Sequence, residues 1–179
     1  MKQKLLILDL DETLIYATEN KLNMGHSFIA GQYFVYKRPY LKEFLEYCLD
    51  EFLVAVWTSS NELYAAKIVN QIFGEDHDLE FVWSRERCVR KFDPEIYDWF
   101  YVKDLKKVKK KGYSLESMIM VDDTPKKLIR NYGNLVRVCE FVGDQRDEEL
   151  LDLIIYLEEL KRVENVRQVE KRNWKSRKV

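Results

Sequence analysis

The sequence predicts an α/β fold, in which helices cover both faces of a central parallel β-sheet of about five strands. Two observations support this fold class. Short apolar runs rich in valine, isoleucine and leucine recur along the chain, as expected of strands that are buried on both faces. Stretches with apolar residues at helical spacing lie between these runs, and such alternation is typical of parallel sheets with right-handed crossover connections.

Five segments are predicted as strands of this sheet. Four of them are strong apolar runs, at residues 5–10, 52–58, 118–123 and 135–141. The fifth is a short run at residues 81–83, within a segment (residues 76–102) that otherwise shows no clear periodicity.

Four segments are predicted as helices, at residues 39–50, 61–73, 125–132 and 147–163. Pro39 suits the first turn of its helix, because proline lacks the N–H group that this position leaves unpaired. Ser60 or Asn61 is expected to cap the second helix, and Gly74 to end it.

Residues 15–36 depart from this alternation of strands and helices. Within them, residues 27–36 carry aromatic and β-branched residues around Gly31, which predicts a β-hairpin. Because the segment follows the first strand directly, we expect it to form a small flap over the end of that strand.

The composition excludes several classes of protein. A chain of 179 residues with 46% hydrophobic and 34% charged residues is typical of one globular domain. The net charge of −1 argues against a protein that coats nucleic acid. Cys48, Cys88 and Cys139 are odd in number and widely spaced, so we expect reduced thiols and no zinc or disulfide framework. The chain has two histidines, without an evident nucleophile partner, so a histidine-based triad is not expected.

The domain is expected to span residues 1–163. Residues 164–179 form a basic tail, which we predict to be flexible and solvated; the alternative is an arm that binds a partner such as nucleic acid. No leader segment and no apolar run of membrane-spanning length is evident, so we expect a cytoplasmic or nuclear monomer without membrane contact.

Two carboxylates follow the first predicted strand. Asp9 and Asp11 are two positions apart, and side chains at i and i+2 of a strand point to the same side. They should converge beyond the carboxyl end of the strand, where open α/β sheets bind ligands. A cation relieves their mutual repulsion, and a hard divalent ion with oxygen ligands, such as Mg²⁺, fits best. The alternative is an acidic turn in which Asp11 or Thr13 caps a helix.

Two further strand ends carry polar groups. Thr58, Ser59 and Ser60 follow the second strong strand and can donate hydrogen bonds to an anion. Asp122 and Asp123 end the third and form a second acidic pair, although this pair can instead cap the following helix. Lys103 is a candidate cation, but spacing alone does not distinguish it from a surface lysine.

Taken in order, DLDET, WTSS, YVKDL and VDDTP resemble the four motifs of the haloacid dehalogenase superfamily of aspartate-nucleophile phosphatases. The longer segments KRPYLKEFL, SRERC and EELLDLIIYLEEL resemble the phosphatases of the RNA polymerase II C-terminal domain, also called the NLI-interacting-factor-like family. The resemblance covers residues 4–163. It implies a Rossmann-like three-layer sandwich with a small β-hairpin insert as its minimal cap.

The resemblance also implies catalytic roles. Asp9 attacks phosphorus and forms a phosphoaspartate, while Asp11 acts first as a general acid and then as a general base. Thr58 hydrogen-bonds the phosphoryl oxygens. Lys103 neutralises charge on the nucleophile and on the transferring group.

By the same resemblance, Mg²⁺ is the cofactor. Its ligands are Asp9, the backbone carbonyl of Asp11, and Asp122. Asp123 binds through a metal-bound water or orients the catalytic lysine.

Substrate contacts are implied for Thr13, Ser59, Tyr64 and Arg85, although core packing is an equally good reading of Tyr64. The chain departs from the family pattern in two places. The segment before KRP is several residues shorter than expected, and Asn61 stands where an apolar pocket residue is expected. Specificity for the polymerase tail is therefore left open.

The predicted function is a Mg²⁺-dependent phosphatase that acts on phosphoserine or phosphothreonine in a protein partner. One alternative is a phosphatase of a small metabolite or of a nucleic-acid 3′-phosphate. The other is a catalytically idle binding module, which we would expect to lack Asp9, Asp11 or Lys103, and all three are present.

Overall fold

The structure, a computed structural model, describes residues 3–176. Within this range the strands are β1 (Leu5–Leu8), β2 (Ile15–Thr18), β3 (Phe28–Ala30), β4 (Tyr33–Lys37), β5 (Leu53–Trp57), β6 (Val82–Trp83), β7 (Val89–Asp93), β8 (Asp98–Val102), β9 (Met118–Asp122) and β10 (Leu135–Arg137). The α-helices are α1 (Leu41–Glu51), α2 (Glu62–Phe73), α3 (Lys106–Lys109) and α4 (Glu149–Leu160).

The central sheet has five parallel strands in the order β10-β9-β1-β5-β6. The middle strand, β1, pairs with β5 on one side and β9 on the other, so that Leu5 lies opposite both Leu53 and Met118. The predicted α/β fold with a five-stranded parallel sheet is confirmed.

Side chains of β1 alternate between two hydrophobic clusters, one on each face of the sheet. Leu6 and Leu8 pack with the apolar faces of α1, α2 and α4. Leu5 and Ile7 pack in the opposite cluster, together with Val108 of α3. All four β1 side chains are buried, and each such burial stabilises the fold by about 1.5–3 kcal/mol. β1 is therefore a firm support for the residues that follow it.

The helices begin and end close to the predicted positions. Asn61 caps α2, since its side chain accepts a hydrogen bond from the Tyr64 N–H at 2.9 Å, and Gly74 ends the helix with φ 90°. α1 begins at Leu41 rather than at Pro39, because Tyr40 adopts a left-handed conformation with φ 61°. The predicted helix at 125–132 is instead a pair of short 3₁₀ turns, Pro125–Leu128 and Tyr132–Asn134.

The predicted flap is a small antiparallel sheet in the order β2-β4-β3. Its β3–β4 hairpin was predicted, and β2 adds a third strand. A second antiparallel hairpin, formed by β7 and β8, occupies part of the segment that appeared irregular in the sequence. Strand β8 leads directly into Lys103.

The basic segment expected to be flexible packs against the domain as far as it is described. Val166 is buried, and Trp174 stacks on Tyr156 of α4 with ring centroids 5.3 Å apart. The Trp174 indole N–H also donates to the Arg137 carbonyl at 2.6 Å. Two apolar residues thus anchor a charged segment. The domain boundary at residue 163 stays a prediction, and residues 177–179 lie outside the described range.

None of the helices in the described part of the chain combines the length and the apolar character needed to cross a membrane.

Candidate active site

Four strand ends bring the predicted catalytic residues together. Asp9 follows β1, Thr58 follows β5, Lys103 follows β8, and Asp122 is the last residue of β9. Because β9, β1 and β5 are parallel neighbours, their carboxyl ends meet at one edge of the sheet. The Lys103 Nζ lies 2.8 Å from Asp9 Oδ1 and 2.6 Å from Asp122 Oδ2, so three separate motifs are in direct contact.

Asp9 is a buried carboxylate between two ammonium groups. Its Oδ1 pairs with Lys103, and its Oδ2 lies 2.7 Å from the Nζ of Lys127. Burial by itself would raise the pKa of Asp9, but the two lysines outweigh this effect and lower the pKa to about 2. Asp9 is therefore ionised at neutral pH, the form in which a carboxylate is nucleophilic.

Asp11 is held by hydroxyl groups instead of cations. Its Oδ1 accepts a hydrogen bond from the Tyr64 hydroxyl at 2.6 Å, and its Oδ2 accepts one from the Ser60 hydroxyl at 2.7 Å. The Thr58 hydroxyl lies 3.5 Å from the same Oδ2. Burial raises the pKa of Asp11, and the two short hydrogen bonds offset only part of this rise. The neighbouring carboxylates Asp9 and Asp11 thus have opposite protonation tendencies, as a nucleophile and an acid require.

Asp9, Asp122 and Asp123 form an acidic trio that fits a divalent ion. Each offers one carboxylate oxygen, and these oxygens lie within 4.8 Å of one another. A set of oxygen donors at this spacing suits a hard cation such as Mg²⁺. Burial, and then the charge of Asp9, raise the pKa of Asp122. A bound cation would counter this rise by favouring the ionised form.

A second lysine, which the sequence analysis did not identify, lies among these carboxylates. The Lys127 Nζ is 2.7 Å from Asp9 Oδ2, 3.4 Å from Asp122 Oδ1 and 3.4 Å from Asp123 Oδ1. Burial favours the neutral form of Lys127, but the three carboxylates outweigh it and raise its pKa. The backbone is fixed as well, because the Lys127 carbonyl accepts a hydrogen bond from the Lys103 N–H at 2.7 Å.

Arg38 supports the turn that follows Asp11. It is 1% exposed, and its guanidinium donates to the Thr13 carbonyl at 2.9 Å. The same group makes two hydrogen bonds of 2.8 Å to the carboxylate of Asp147. Within the turn, Glu12 has φ 57°, a strained conformation for a residue with a side chain. The buried Arg38 therefore helps to hold a strained turn beside Asp9 and Asp11.

Thr13 lies beneath the site, although it was predicted to bind substrate. Its side chain is fully buried, and its hydroxyl is 3.5 Å from Asp123 Oδ1. This placement favours a positioning role for Thr13.

Ser59, Tyr64 and Arg85 are the residues predicted to contact substrate, and that role stays a prediction. Ser59 and Arg85 lie at the open side of the site. The Arg85 Nε donates to the Ser59 carbonyl at 2.8 Å, and its guanidinium lies over the ring of Tyr101, 5.2 Å from the centroid. A cavity of about 200 Å³ adjoins this side and is lined by Ser59, Phe100, Tyr101, Thr124, Lys126 and Lys127.

Three residues of the site were not among the predicted catalytic, metal-binding or substrate-binding residues. Ser60 was expected to bind an anion with Thr58 and Ser59 or to cap α2, whereas it donates to Asp11 and the cap is Asn61. The sequence signal for Lys127 is its spacing of four residues from Asp123, which brings the two side chains to one side of a helical turn. Arg38 was quoted only as part of KRPYLKEFL, and its burial has no local sequence signal.

The family model described as NLI interacting factor-like phosphatase matches residues 4–167. The chain belongs to this family. The resemblance identified from the motifs is confirmed, and the match covers almost the entire described range.

Named relatives of this family member include phosphatases from distant organisms. CTD small phosphatase-like protein 2 of Dictyostelium discoideum is 32% identical over 169 residues, which are 90% of this chain and 28% of the relative. CTD small phosphatase-like protein of Homo sapiens is 31% identical over 178 residues, 92% of this chain and 58% of the relative. CTD nuclear envelope phosphatase 1 of Xenopus laevis is 27% identical over 188 residues, which are 97% of this chain and 73% of the relative. The chain thus spans less than two thirds of the length of the first two of these relatives.

A solved structure shares the fold. The chain superposes on Fcp1, described as an essential RNA polymerase II CTD phosphatase, with a TM-score of 0.68 and 16% identity, covering 89% of this chain and 62% of Fcp1. At this identity the comparison establishes the fold, and it agrees with the layered α/β architecture described above.

Proposed function

We propose that this family member hydrolyses phosphate monoesters, with Asp9 as the nucleophile and Mg²⁺ as the cofactor. The observation that carries the proposal is the environment of Asp9, a buried and ionised carboxylate between the ammonium groups of Lys103 and Lys127. Such a carboxylate is suited to attack phosphorus, because the fixed ammonium group of Lys103, together with a bound Mg²⁺, would attract the phosphoryl group and neutralise its charge.

The reaction has two steps. In the first, a bond forms between the Asp9 carboxylate and phosphorus while the bond from phosphorus to the leaving alkoxide breaks, and Asp11 gives that alkoxide its proton. In the second, Asp11 takes a proton from water, and the water oxygen forms a bond to phosphorus while the bond from phosphorus to the Asp9 oxygen breaks, which releases inorganic phosphate and the free Asp9 carboxylate. Proton transfer of this kind contributes about 10²–10⁴-fold to the rate.

The surroundings of Asp11 support its role as the acid. Burial raises its pKa, which favours the protonated form that the first step needs. Tyr64 and Ser60 fix its two oxygens, and Thr58 stands beside them to donate to a phosphoryl oxygen.

Asp9, Asp122 and Asp123 would hold Mg²⁺, with the backbone carbonyl of Asp11 as a further ligand. The ion supplies charge neutralisation for the nucleophile and the phosphoryl oxygens when bound. The fully buried Lys103 bridges Asp9 and Asp122 and so fixes the direction of both carboxylates.

The proposed substrate is phosphoserine or phosphothreonine within a protein. Relatives are named as CTD phosphatases, and Ser59, whose carbonyl accepts a hydrogen bond from Arg85, lines the cavity beside the site. The adjoining cavity of about 200 Å³ is smaller than the roughly 300–1,000 Å³ of most small-molecule sites. This size favours one side chain of a larger substrate over an enclosed metabolite. Cytoplasmic or nuclear location and a monomeric state remain predictions.

The test is hydrolysis of para-nitrophenyl phosphate with and without Mg²⁺ by wild type, Asp9→Asn and Asp50→Asn. Asp50 is an exposed aspartate of α1 and serves as the matched control. We expect Mg²⁺-dependent turnover in wild type and Asp50→Asn, and none in Asp9→Asn. Wild type without turnover under any divalent ion would refute the proposal. Rates on phosphopeptides, a 3′-phosphorylated oligonucleotide and small phosphometabolites then separate the substrate classes.

A further inference from the structure

The position of Lys127 conflicts with a divalent ion at the acidic trio. Its ammonium group lies within 3.4 Å of a carboxylate oxygen from each of Asp9, Asp122 and Asp123. These three residues are also the ones whose oxygens are spaced to bind a metal. The Lys127 ammonium group and the proposed ion would therefore bind to the same three carboxylates.

Charge makes simultaneous occupation unfavourable. The trio carries three negative charges when ionised, and the buried Lys103 already neutralises one of them. With Lys127 in place, a divalent ion would lie close to an ammonium group in a buried site, where water screens the repulsion between like charges only weakly.

The two lysines differ in their freedom to move. The Lys103 side chain has no exposed surface and is fixed between two carboxylates. The Lys127 side chain is 17% exposed and lines the cavity of about 200 Å³ on the open side of the site. Lys127 can therefore turn outward by rotation of its side chain, while its backbone stays hydrogen-bonded to Lys103.

We propose that Lys127 is a tethered cation that competes with the divalent ion for Asp9, Asp122 and Asp123, and that it moves into the adjoining cavity when the ion binds. The inference rests on the metal site of the proposed function. Lys127 thereby lowers the affinity of the acidic trio for the ion. It stabilises the trio at low ion concentration and moves away at high ion concentration.

The test is calorimetric titration of Mg²⁺ into metal-stripped protein, with wild type, Lys127→Met and Lys42→Met. Lys42 is the matched control, because it is an exposed lysine of α1 that pairs with Glu46 and does not line the cavity. Removal of the competing charge is expected to lower the Mg²⁺ dissociation constant by about tenfold in Lys127→Met. The value for Lys42→Met should equal that of wild type.

Thermal unfolding provides a second readout that needs no activity. In EDTA, Lys127→Met should unfold at a lower temperature than wild type, since the trio has lost a counter-charge. Saturating Mg²⁺ should then raise its midpoint by more than it raises that of wild type. Lys127→Gln, which keeps a hydrogen-bond donor near the trio, repeats both measurements if the methionine variant folds poorly.

Two results would overturn the inference. Equal or weaker Mg²⁺ binding in both Lys127 variants would show that Lys127 does not compete with the ion, and would leave the phosphatase proposal intact. Absence of Mg²⁺ binding in every protein, wild type included, would remove both the competition and the metal dependence of the proposed function.

Discussion

Replacement of Arg38 by methionine tests the link between the buried ion pair and the catalytic turn. The substitution keeps a long apolar stem but removes three hydrogen bonds, two to the Asp147 carboxylate and one to the Thr13 carbonyl. Removing one partner of a buried ion pair costs about 3–5 kcal/mol. The Asp147 side chain is 17% exposed and regains some hydration, so the lower end of that range applies.

We therefore expect Arg38→Met to lower the free energy of unfolding by about 3 kcal/mol. For a protein of this size, that loss corresponds to a melting temperature lower by roughly 6–12 °C. Urea denaturation followed by circular dichroism gives the free energy directly. The matched control is Arg146→Met, which removes a pair whose arginine side chain is 91% exposed and should change stability by less than about 1 kcal/mol.

The same variant has a functional consequence. Loss of the Arg38 hydrogen bond frees the Thr13 carbonyl, and the strained turn that carries Asp11 becomes less well fixed. We expect kcat for para-nitrophenyl phosphate to fall about tenfold or more at temperatures where the variant is fully folded. A stability loss below about 1 kcal/mol, or an unchanged kcat, would refute the reasoning.

Other substitutions give further tests. Tyr64→Phe removes a hydrogen-bond donor that favours the ionised form of Asp11, so the pKa of Asp11 rises further. The loss of kcat/KM with increasing pH should therefore begin at a higher pH. Tyr33→Phe, which alters a ring that packs against Tyr64, should leave the pH profile unchanged. Asp122→Asn removes a charged oxygen from the acidic trio and should raise the Mg²⁺ concentration needed for half-maximal turnover, measured by a metal titration of activity. Trp174→Ala removes a buried aromatic and should lower the free energy of unfolding by about 3–5 kcal/mol in urea titrations; an unchanged midpoint would mean that the tail does not support the fold.

The fold and the main site residues were predictable because their signals are local. A buried parallel strand requires a continuous apolar run, and β1, β5 and β9 each have one. The polar residues that end these runs meet at one sheet edge by geometry alone, so Asp9, Thr58 and Asp122 could be grouped without knowledge of any contact.

The residues that were missed depend on contacts between distant elements. Lys127 looks like any surface lysine until the turn after β9 directs it back toward β1. Tyr64 was predicted to contact substrate, but its hydrogen bond to Asp11 was not predicted. It has the helical spacing of a core residue, and only the packing of α2 over the site brings its hydroxyl to Asp11. The β7–β8 hairpin lacks a clear alternating pattern, because β7 is rich in charged residues, β8 is mostly aromatic, and both strands are partly exposed. The many charges of the basic tail predicted a solvated segment, whereas its apolar residues Val166 and Trp174 are buried.

The central position of β1 has a consequence for synthesis of the protein. β1 is the first strand of the described chain, yet it needs β5 and β9 on its two edges, and Asp9 needs the ammonium group of Lys103. At about 5–20 residues per second, ribosomal elongation takes on the order of ten seconds to pass from β1 to β9. During this interval β1 is an apolar strand with an unpaired edge, and such a strand can pair wrongly or be bound by a chaperone. Catalytic competence should therefore appear late in biogenesis, once nearly the whole domain has emerged.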